Sequence, residues 1–387
     1  MRHIVFVALL GFITACAAGR AERGSPGGSA GGTAGISPFA ASAVAVMQAY
    51  DMETRFREAA DLGRFASERA RLLKDAPGEA RIQVELGRVL SRQAPRDPGL
   101  DPAEVRATVQ RARQLAEASG NVGVLAAAID AEGMHLYWNK LVKGEGEWAP
   151  IEALFVKSRE LAEEAKDPRV ISEALFHLGL THQFRGNAPE AGEAYERSLS
   201  VARESRDALM QSYALRHLAD LAEKRGDLDT ALAWHRECLR LREQVGFRTG
   251  EVYALLAVAR VLTLREPGSD EALTAVQRAL RLSEAHKDPT GLRESQAALG
   301  RIHVQRREAA AALTLFEKAM ASAEAHQDWL TVVEVMLDIA RAHALQGDKA
   351  RVEALVRRAH ALMTERDLTA IKEDVEQLGR EHDIALQ

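Results

Sequence analysis

The feature that most constrains the fold is a repeat with a period of about 40 residues in the second half of the chain. Each repeat carries a two-residue mark, an aliphatic residue followed by Gly or Ala, and the marks are Leu178-Gly179, Leu218-Ala219, Val258-Ala259, Leu299-Gly300 and Ile339-Ala340. The spacing of these marks is constant except for one extra residue between the third and the fourth. Because a fixed period of this size is typical of stacked arrays, the sequence predicts a repeat architecture rather than one compact core.

A second pattern follows each mark at helical spacing. A small or branched residue, a residue four positions on and a small residue three further on share one helix face. These triplets are Ala191, Tyr195 and Ser198; Ala231, His235 and Cys238; Ala272, Val276 and Ala279; Ala312, Phe316 and Ala319; and Val352, Val356 and Ala359. Small residues let two helices approach closely, so each repeat is predicted to be a pair of packed helices.

Turn residues and aspartates mark the ends of these helices. Between the two helices lie Gly186-Asn187, Gly226-Asp227, Gly268-Ser269-Asp270 and Gly347-Asp348, whereas the fourth repeat has Arg307-Glu308. The second helices end at Asp167, Asp207, Asp288, Asp328 and Asp367. An aspartate at this position is predicted to accept a hydrogen bond from an early amide of the next helix. This series of aspartates is interrupted near Thr249, where Gly246 and Gly250 lie at the boundary instead.

Composition agrees with an all-helical chain. Apolar residues make up 47% of the 387 residues and aromatic residues only 5%, and β-branched runs are few. The formal net charge of −5 gives no basic character that would favour nucleic acid. Residues 38–167 show the same helix periodicity with a degraded motif, including Leu86-Gly87 and Gly133, and are predicted to be divergent repeats. Gly63 is interpreted as a bend or hairpin.

The first sixteen residues, MRHIVFVALLGFITAC, have a basic start and a short apolar run. The run is too short to span a bilayer, so residues 1–15 are predicted to be a secretory signal. The ending Ile13-Thr14-Ala15-Cys16 resembles the bacterial lipobox, which implies acylation of Cys16, and Ala17 favours the outer membrane in a diderm host. A plain signal peptide without acylation is the alternative. Residues 16–37 would then form a Gly-rich tether with a mean reach of roughly 25 Å.

The repeat pattern resembles the tetratricopeptide repeat (TPR) in its long bacterial form, strongly over residues 168–366 and more weakly over residues 79–167. The resemblance rests on the positions filled by small residues, on the Gly-Asp turn and on the four-residue steps from Ala191 to Tyr195 and from Ala312 to Phe316. It implies an all-α fold, a right-handed α-solenoid of antiparallel helix pairs. Residues 168–366 would hold five regular TPR-like repeats, residues 38–167 divergent ones and residues 367–387 a C-terminal capping helix. That cap is predicted as one amphipathic helix from Thr369 to Ala385.

In the TPR family the first helix of each pair lines the concave face. Mapped residue by residue, the partner-binding groove would be lined by Phe176, Leu180, Phe184, Tyr213, Arg216, Tyr253, Arg260, Arg301 and Arg341. Aromatic and arginine anchors are typical of sites that bind a protein or peptide. The alternative is that the arginines pair with Glu294 and Glu334 and only keep the groove soluble.

No catalytic motif is recognisable, so we predict no enzyme, no cofactor and no metal site. His182, His303 and His343 recur at the register where the family has Tyr, and we interpret them as packing residues. One repeat apart, they are too far from each other to share a metal ion. Cys238 occupies a small-residue slot and is predicted to be a buried structural thiol.

The predicted function is that of a membrane-tethered scaffold that binds other proteins in the bacterial cell envelope, where the resemblance implies a role in assembling envelope complexes. The alternative is a regulatory receptor for a peptide, because long-form repeats also occur in bacterial signalling proteins that grip peptides. An enzyme with an unrecognised site in the N-terminal region is a remote third hypothesis. The partner and the oligomeric state are not predicted.

Overall fold

The computed structural model describes residues 35–94, 97 and 99–386. Over these residues it contains seventeen α-helices and one 3-10 helix, and no strand. The all-α fold of antiparallel helix pairs is as predicted. All five marks lie in the first helices of successive pairs. The described residues divide into two compact units, residues 35–247 and residues 248–386.

The first unit contains ten helices within its described residues. They are α1 (Pro38–Met52), α2 (Phe56–Leu72), α3 (Ala76–Gln93), α4 (Pro102–Ser119), α5 (Val122–Lys143), α6 (Trp148–Glu164), α7 (Pro168–Phe184), α8 (Ala188–Glu204), α9 (Ala208–Lys224) and α10 (Leu228–Val245). The odd-numbered helices are the first helices of the pairs and the even-numbered helices are the second. Each first helix packs on its own second helix, and the first helices of successive pairs within this unit also pack on one another.

The second unit repeats this arrangement. Its helices are α11 (Arg248–Arg265), α12 (Asp270–His286), α13 (Pro289–Gln305), α14 (Ala309–Ala325), α15 (Trp329–Leu345), α16 (Lys349–Glu365), a 3-10 helix (Thr369–Ile371) and α17 (Lys372–Glu381). The unit begins near Gly246 and Gly250, where the series of aspartates at the ends of the second helices is interrupted. The C-terminal helix is shorter than predicted, because a 3-10 turn precedes it and residues 382–386 are not helical.

The predicted aspartate caps are confirmed at four positions. The carboxylates of Asp167, Asp207, Asp288 and Asp328 each accept a hydrogen bond from the amide three residues on, at 3.0–3.2 Å. The prediction for Asp367 is wrong. This residue has a φ of +50° and lies one position earlier in its turn, so Leu368 precedes the next helix instead.

The small–large–small triplets form the contact between the two helices of each pair. Gly179 is small because a Cβ there would lie 2.4 Å from the ring of the fully buried Tyr195. Gly300 stands in the same relation to Phe316. In the divergent region, a Cβ on Gly133 would lie 2.6 Å from Phe155, so the α5–α6 pair uses the same contact as the regular repeats.

Gly63 does not mark a bend, which corrects the prediction. It lies inside α2, and a Cβ there would come within 2.7 Å of Met47, so the residue allows α1 and α2 to pack closely. The break between these helices falls at residues 53–55, where Thr54 has a φ of +59°.

The predicted signal, the acylated Cys16 and nearly all of the predicted tether lie outside the described residues. Among the helices that the structure describes, none combines the length and the apolar character needed to cross a bilayer.

Candidate partner-binding site

The predicted groove residues of the first unit are mostly buried. Phe176, Leu180, Tyr213 and Arg216 are each at most 8% exposed. Phe176 packs against the rings of Tyr195, Tyr213 and His217, with centroids 5.2–5.8 Å apart. These side chains therefore contribute chiefly to the core of the repeats, whereas Phe184 is half-buried.

The predicted groove residues of the second unit are more exposed. Arg260, Arg301 and Arg341 follow the marks of α11, α13 and α15 at one register, and all three are exposed. α13 packs on both α11 and α15, so the three helices share one surface. We call this surface the charged face and define it by Arg260, Glu294, Arg301, Glu334, Asp338 and Arg341.

Two exposed aliphatic side chains lie beside these arginines. Leu264 follows Arg260 by four residues on α11, and Leu345 follows Arg341 by four residues on α15. Residues four positions apart lie on the same helix face. The charged face therefore offers apolar contacts next to its guanidinium groups, a combination found at protein interfaces.

Arg301 and Arg341 pair with Asp338 rather than with the predicted glutamates. Arg301 Nε donates to one carboxylate oxygen of Asp338 at 2.7 Å, and Arg341 Nη1 donates to the other at 3.1 Å. Asp338 is buried, whereas both arginine side chains are more than 40% exposed. Asp338 thus orients two guanidinium groups that still face solvent.

Glu294 and Glu334 are half-buried and make no hydrogen bond or ion pair with the residues that the structure describes. Oxygen Oε1 of Glu294 is itself buried without a partner. Burial raises the pKa of Glu334 to about 7, with Arg301 opposing the shift and Glu294 adding to it. Burial also raises the pKa of Glu294. The charged face therefore holds two adjacent carboxyl groups whose negative charge is poorly compensated.

Glu173 of α7 occupies the same register as these glutamates, six residues before the small residue of its mark, but its charge is compensated. It is fully buried, and its carboxylate accepts hydrogen bonds from Arg88 at 2.9 Å and from Arg169 at 3.1 Å. Burial opposes ionisation of Glu173, but Arg88, Arg169 and Arg81 outweigh it and lower its pKa to about 2. Glu173 is therefore a structural ion-pair partner.

A buried ion network extends from Glu173 through the first helices of the first unit. Arg88 also donates to Asp130 at 2.9 Å, and the other Asp130 oxygen is 2.7 Å from His177 Nδ1. Further along, Arg92 pairs with Asp51 at 2.8 Å. Because each of these groups is buried and paired, the network holds α1, α3, α5 and α7 together and offers no exposed reactive group.

The sequence reasoning missed this network and Asp338, although a signal was present. Buried polar residues stand directly before the marks, where an aliphatic face is expected: Glu85, His177, His217 and Asp338. In addition, Arg88 follows Leu86-Gly87 as Arg301 follows Leu299-Gly300. Comparing registers across all the pairs, including the divergent ones, would have identified both sets.

One cluster has the residue types of a metal site. Ligand atoms of Asp220, Glu223 and His235 lie within 4.8 Å of one another. Arg216 Nη2 is 3.3 Å from Asp220, however, and places a positive charge where a cation would bind. We therefore assign no metal to this cluster.

Cys238 is buried, as predicted, and burial raises the pKa of its thiol. The thiol is therefore protonated at neutral pH, and the side chain acts as a packing residue.

Comparison with known proteins identifies the repeat. Residues 170–244 match the family described as tetratricopeptide repeat. These residues are tetratricopeptide repeats. The matched segment covers α7 to α10, the two best-formed pairs of the first unit. Over 110 residues the chain is also 28% identical to the 43 kDa receptor-associated protein of the synapse from Tetronarce californica, a match that spans 28% of this chain and 26% of that protein's length.

Solved structures with the same fold cover most of this chain. A Rap protein complexed with competence and sporulation factor matches 89% of this chain and 97% of its own, with a TM-score of 0.56 and 10% identity. Aspartyl phosphate phosphatase F from Bacillus subtilis matches 94% and 99%, with a TM-score of 0.51 and 13% identity. A signal-transduction ATPase with a TPR sensor from Pyrococcus horikoshii matches 85% and 52%, with a TM-score of 0.55 and 14% identity. At these identities the likeness shows the fold alone, which is an all-α repeat solenoid.

Proposed function

We propose that this TPR protein is a membrane-tethered scaffold of the bacterial cell envelope and that it binds a protein or peptide segment through the charged face. The tether would be the acylated Cys16, and the scaffold would hold its partner at the membrane while an envelope complex assembles. Binding rather than catalysis is the expected role, because the TPR fold is typically a scaffold for protein interactions.

The observation that carries the proposal is the contrast between carboxyl groups at one register. Glu173 is neutralised within the protein by two arginines, whereas Glu294 and Glu334 are half-buried near Arg301 without a hydrogen-bond or ion-pair partner among the described residues. An uncompensated carboxylate is costly to bury, and a cation that reaches it recovers that cost. The charged face therefore suits a segment that presents a lysine, an arginine or an amino terminus.

Site-specific photo-crosslinking in cells tests this placement. A photoreactive amino acid at Leu264 or Leu345 stands beside the arginines without replacing any of them. The matched control is Thr314, an exposed residue on the second helix α14. We expect one partner to crosslink from Leu264 and Leu345 and not from Thr314, with its identity read by mass spectrometry. Equal crosslinking from all three positions, or crosslinking from Thr314 alone, would show that the partner does not bind at the charged face.

A second candidate function is a regulatory receptor for a short peptide. The likeness to a Rap protein complexed with competence and sporulation factor favours it, because the match covers most of both chains. In this case a short basic peptide would bind the second unit and change how its helix pairs pack. Solution scattering with and without such peptides tests the idea, and unchanged profiles at saturating peptide would count against it.

A further inference from the structure

Large apolar side chains are exposed at few places in the described residues, and most of these places are in the first helix pair. Phe65, Leu72 and Leu73 of the α2 segment are 66%, 62% and 57% exposed, and Val46 of α1 is also exposed. The other two exposed large apolar residues, Leu264 and Leu345, lie beside the arginines of the charged face. The first helix pair therefore has an apolar surface that none of the described residues covers.

The three apolar side chains of α2 lie on the side of the helix that faces away from the core. Leu72 and Leu73 follow Phe65 by seven and eight residues, which places them within one face of an α-helix. The side of α2 opposite Phe65 and Leu72 carries Ser67 and Ala70, which are buried. We call Phe65, Leu72 and Leu73, together with Arg69 and Lys74, the α2 patch.

The α2 patch has a basic rim. Residues 64–74 include four basic side chains and one acidic side chain, Glu68, and Arg64 pairs with Asp61 and Glu104. Glu68 pairs with Arg71 at 3.5 Å, whereas Arg69 and Lys74 are exposed and have no ion-pair partner among the described residues. Arg69 follows Phe65 by four residues, so a positive charge lies within the apolar surface itself.

We propose that the α2 patch docks on the surface of an anionic lipid bilayer. Apolar side chains enter the boundary between headgroups and acyl chains, while arginine and lysine side chains reach the phosphates on their flexible stems. A second copy of the chain fits less well, because a symmetric contact would set one basic rim against another. The whole chain has a net charge of −5, so attraction to an anionic surface requires a local basic patch such as this one.

The position of the α2 patch in the chain agrees with this occupant. This argument rests on the proposed lipid anchor at Cys16, which only the proposed tether separates from Pro38 of α1. The first helix pair is thus the folded part nearest to the anchor along the sequence. A contact between the α2 patch and the bilayer would hold this pair against the membrane that carries the anchor.

Vesicle co-sedimentation tests the proposal with a chain that begins at Ala17. This chain keeps every described residue but has neither the apolar leader nor the Cys16 thiol, so acylation does not affect the result. We expect binding to vesicles rich in phosphatidylglycerol, little binding to vesicles of phosphatidylcholine alone, and loss of binding as salt is raised. The double variant Phe65→Ser/Leu72→Ser and the double variant Arg69→Gln/Lys74→Gln should each weaken binding by about tenfold. All four positions are exposed, so the variants should keep the thermal midpoint of the parent chain.

Leu264→Ser is the matched control, because it removes an equally exposed leucine outside the α2 patch and should leave vesicle binding unchanged. Equal binding to both lipids, or no binding to either, would overturn the proposal. Concentration-dependent dimerisation that Phe65→Ser/Leu72→Ser abolishes would assign the patch to a second copy instead. None of these results depends on the partner of the charged face or on Cys16, so failure here is distinguishable from failure of the proposed function.

Discussion

At the scale of single residues, the glycines of the marks determine how closely two helices pack. We expect Gly179→Ala to lower the free energy of unfolding by about 1–3 kcal/mol, because the new Cβ would overlap the rigid ring of Tyr195. The Tyr195 hydroxyl is held by Gln183 at 2.7 Å, which limits movement of the ring. The control is Gly192→Ala in α8, where the nearest atom is 3.8 Å away; this change should be neutral or stabilising by about 0.5–1 kcal/mol. Urea unfolding of both variants measures the difference, and equal effects would contradict the packing described.

The raised pKa of Glu334 predicts a specific pH dependence of stability. Between its unfolded pKa of 4.5 and its folded pKa of about 7, the folded chain retains a proton that the unfolded chain has lost. This group therefore stabilises the fold below pH 4.5, and its contribution of roughly 1–2 kcal/mol, reduced by solvent screening, is lost as the pH rises to 7. Glu334→Gln should remove this dependence. Thermal melts of both proteins from pH 4.5 to 8 that keep a constant offset would show that Glu334 does not titrate in this range.

At the scale of helices and turns, a residue with positive φ connects the two helices of each regular pair. Gly186, Gly226, Gly268 and Gly347 fill this position in four repeats, whereas Arg307 adopts a φ of +62° in the other. We expect Arg307→Gly to stabilise the chain by about 0.5–1 kcal/mol, because glycine adopts this conformation without strain. The reverse control is Gly347→Ala, where no atom lies within 4 Å of the new Cβ, so its expected loss of about 1 kcal/mol reports the backbone alone. Denaturant midpoints that move the other way would mean that the turn is not strained.

The helix pairs were predictable from the sequence because they depend on local spacing. The marks, the triplets and the caps at Asp167 to Asp328 all repeat at a fixed register. Asp367 departs from the rule because its step from Asp328 is one residue shorter than the step from Asp288 to Asp328. A shift of one residue is enough to move a side chain out of a cap. The pairing of Arg301 and Arg341 with Asp338 could not be predicted, since the choice among three nearby acids depends on side-chain geometry.

At the scale of the whole molecule, the proposed tether separates the membrane anchor at Cys16 from the proposed partner-binding site. We expect Cys16→Ser to prevent acylation and to move most of the protein from the membrane fraction to the soluble fraction of cells. Fractionation followed by immunoblotting measures this shift. Processing that is unchanged, together with an unchanged membrane fraction, would show that another part of the chain is the anchor.

The central claim is that Glu294 and Glu334 receive a cationic group of the partner. The most direct measurement is the affinity of the crosslinked partner for the chain carrying Glu294→Gln and Glu334→Gln, compared with Glu317→Gln on the exposed side of α14. Neither glutamate has an ion-pair partner among the described residues, so the double variant should remain folded. It should bind at least about tenfold more weakly, and the wild-type affinity should fall as the pH drops below 7. An affinity equal to that of Glu317→Gln, with no pH dependence, would contradict the account.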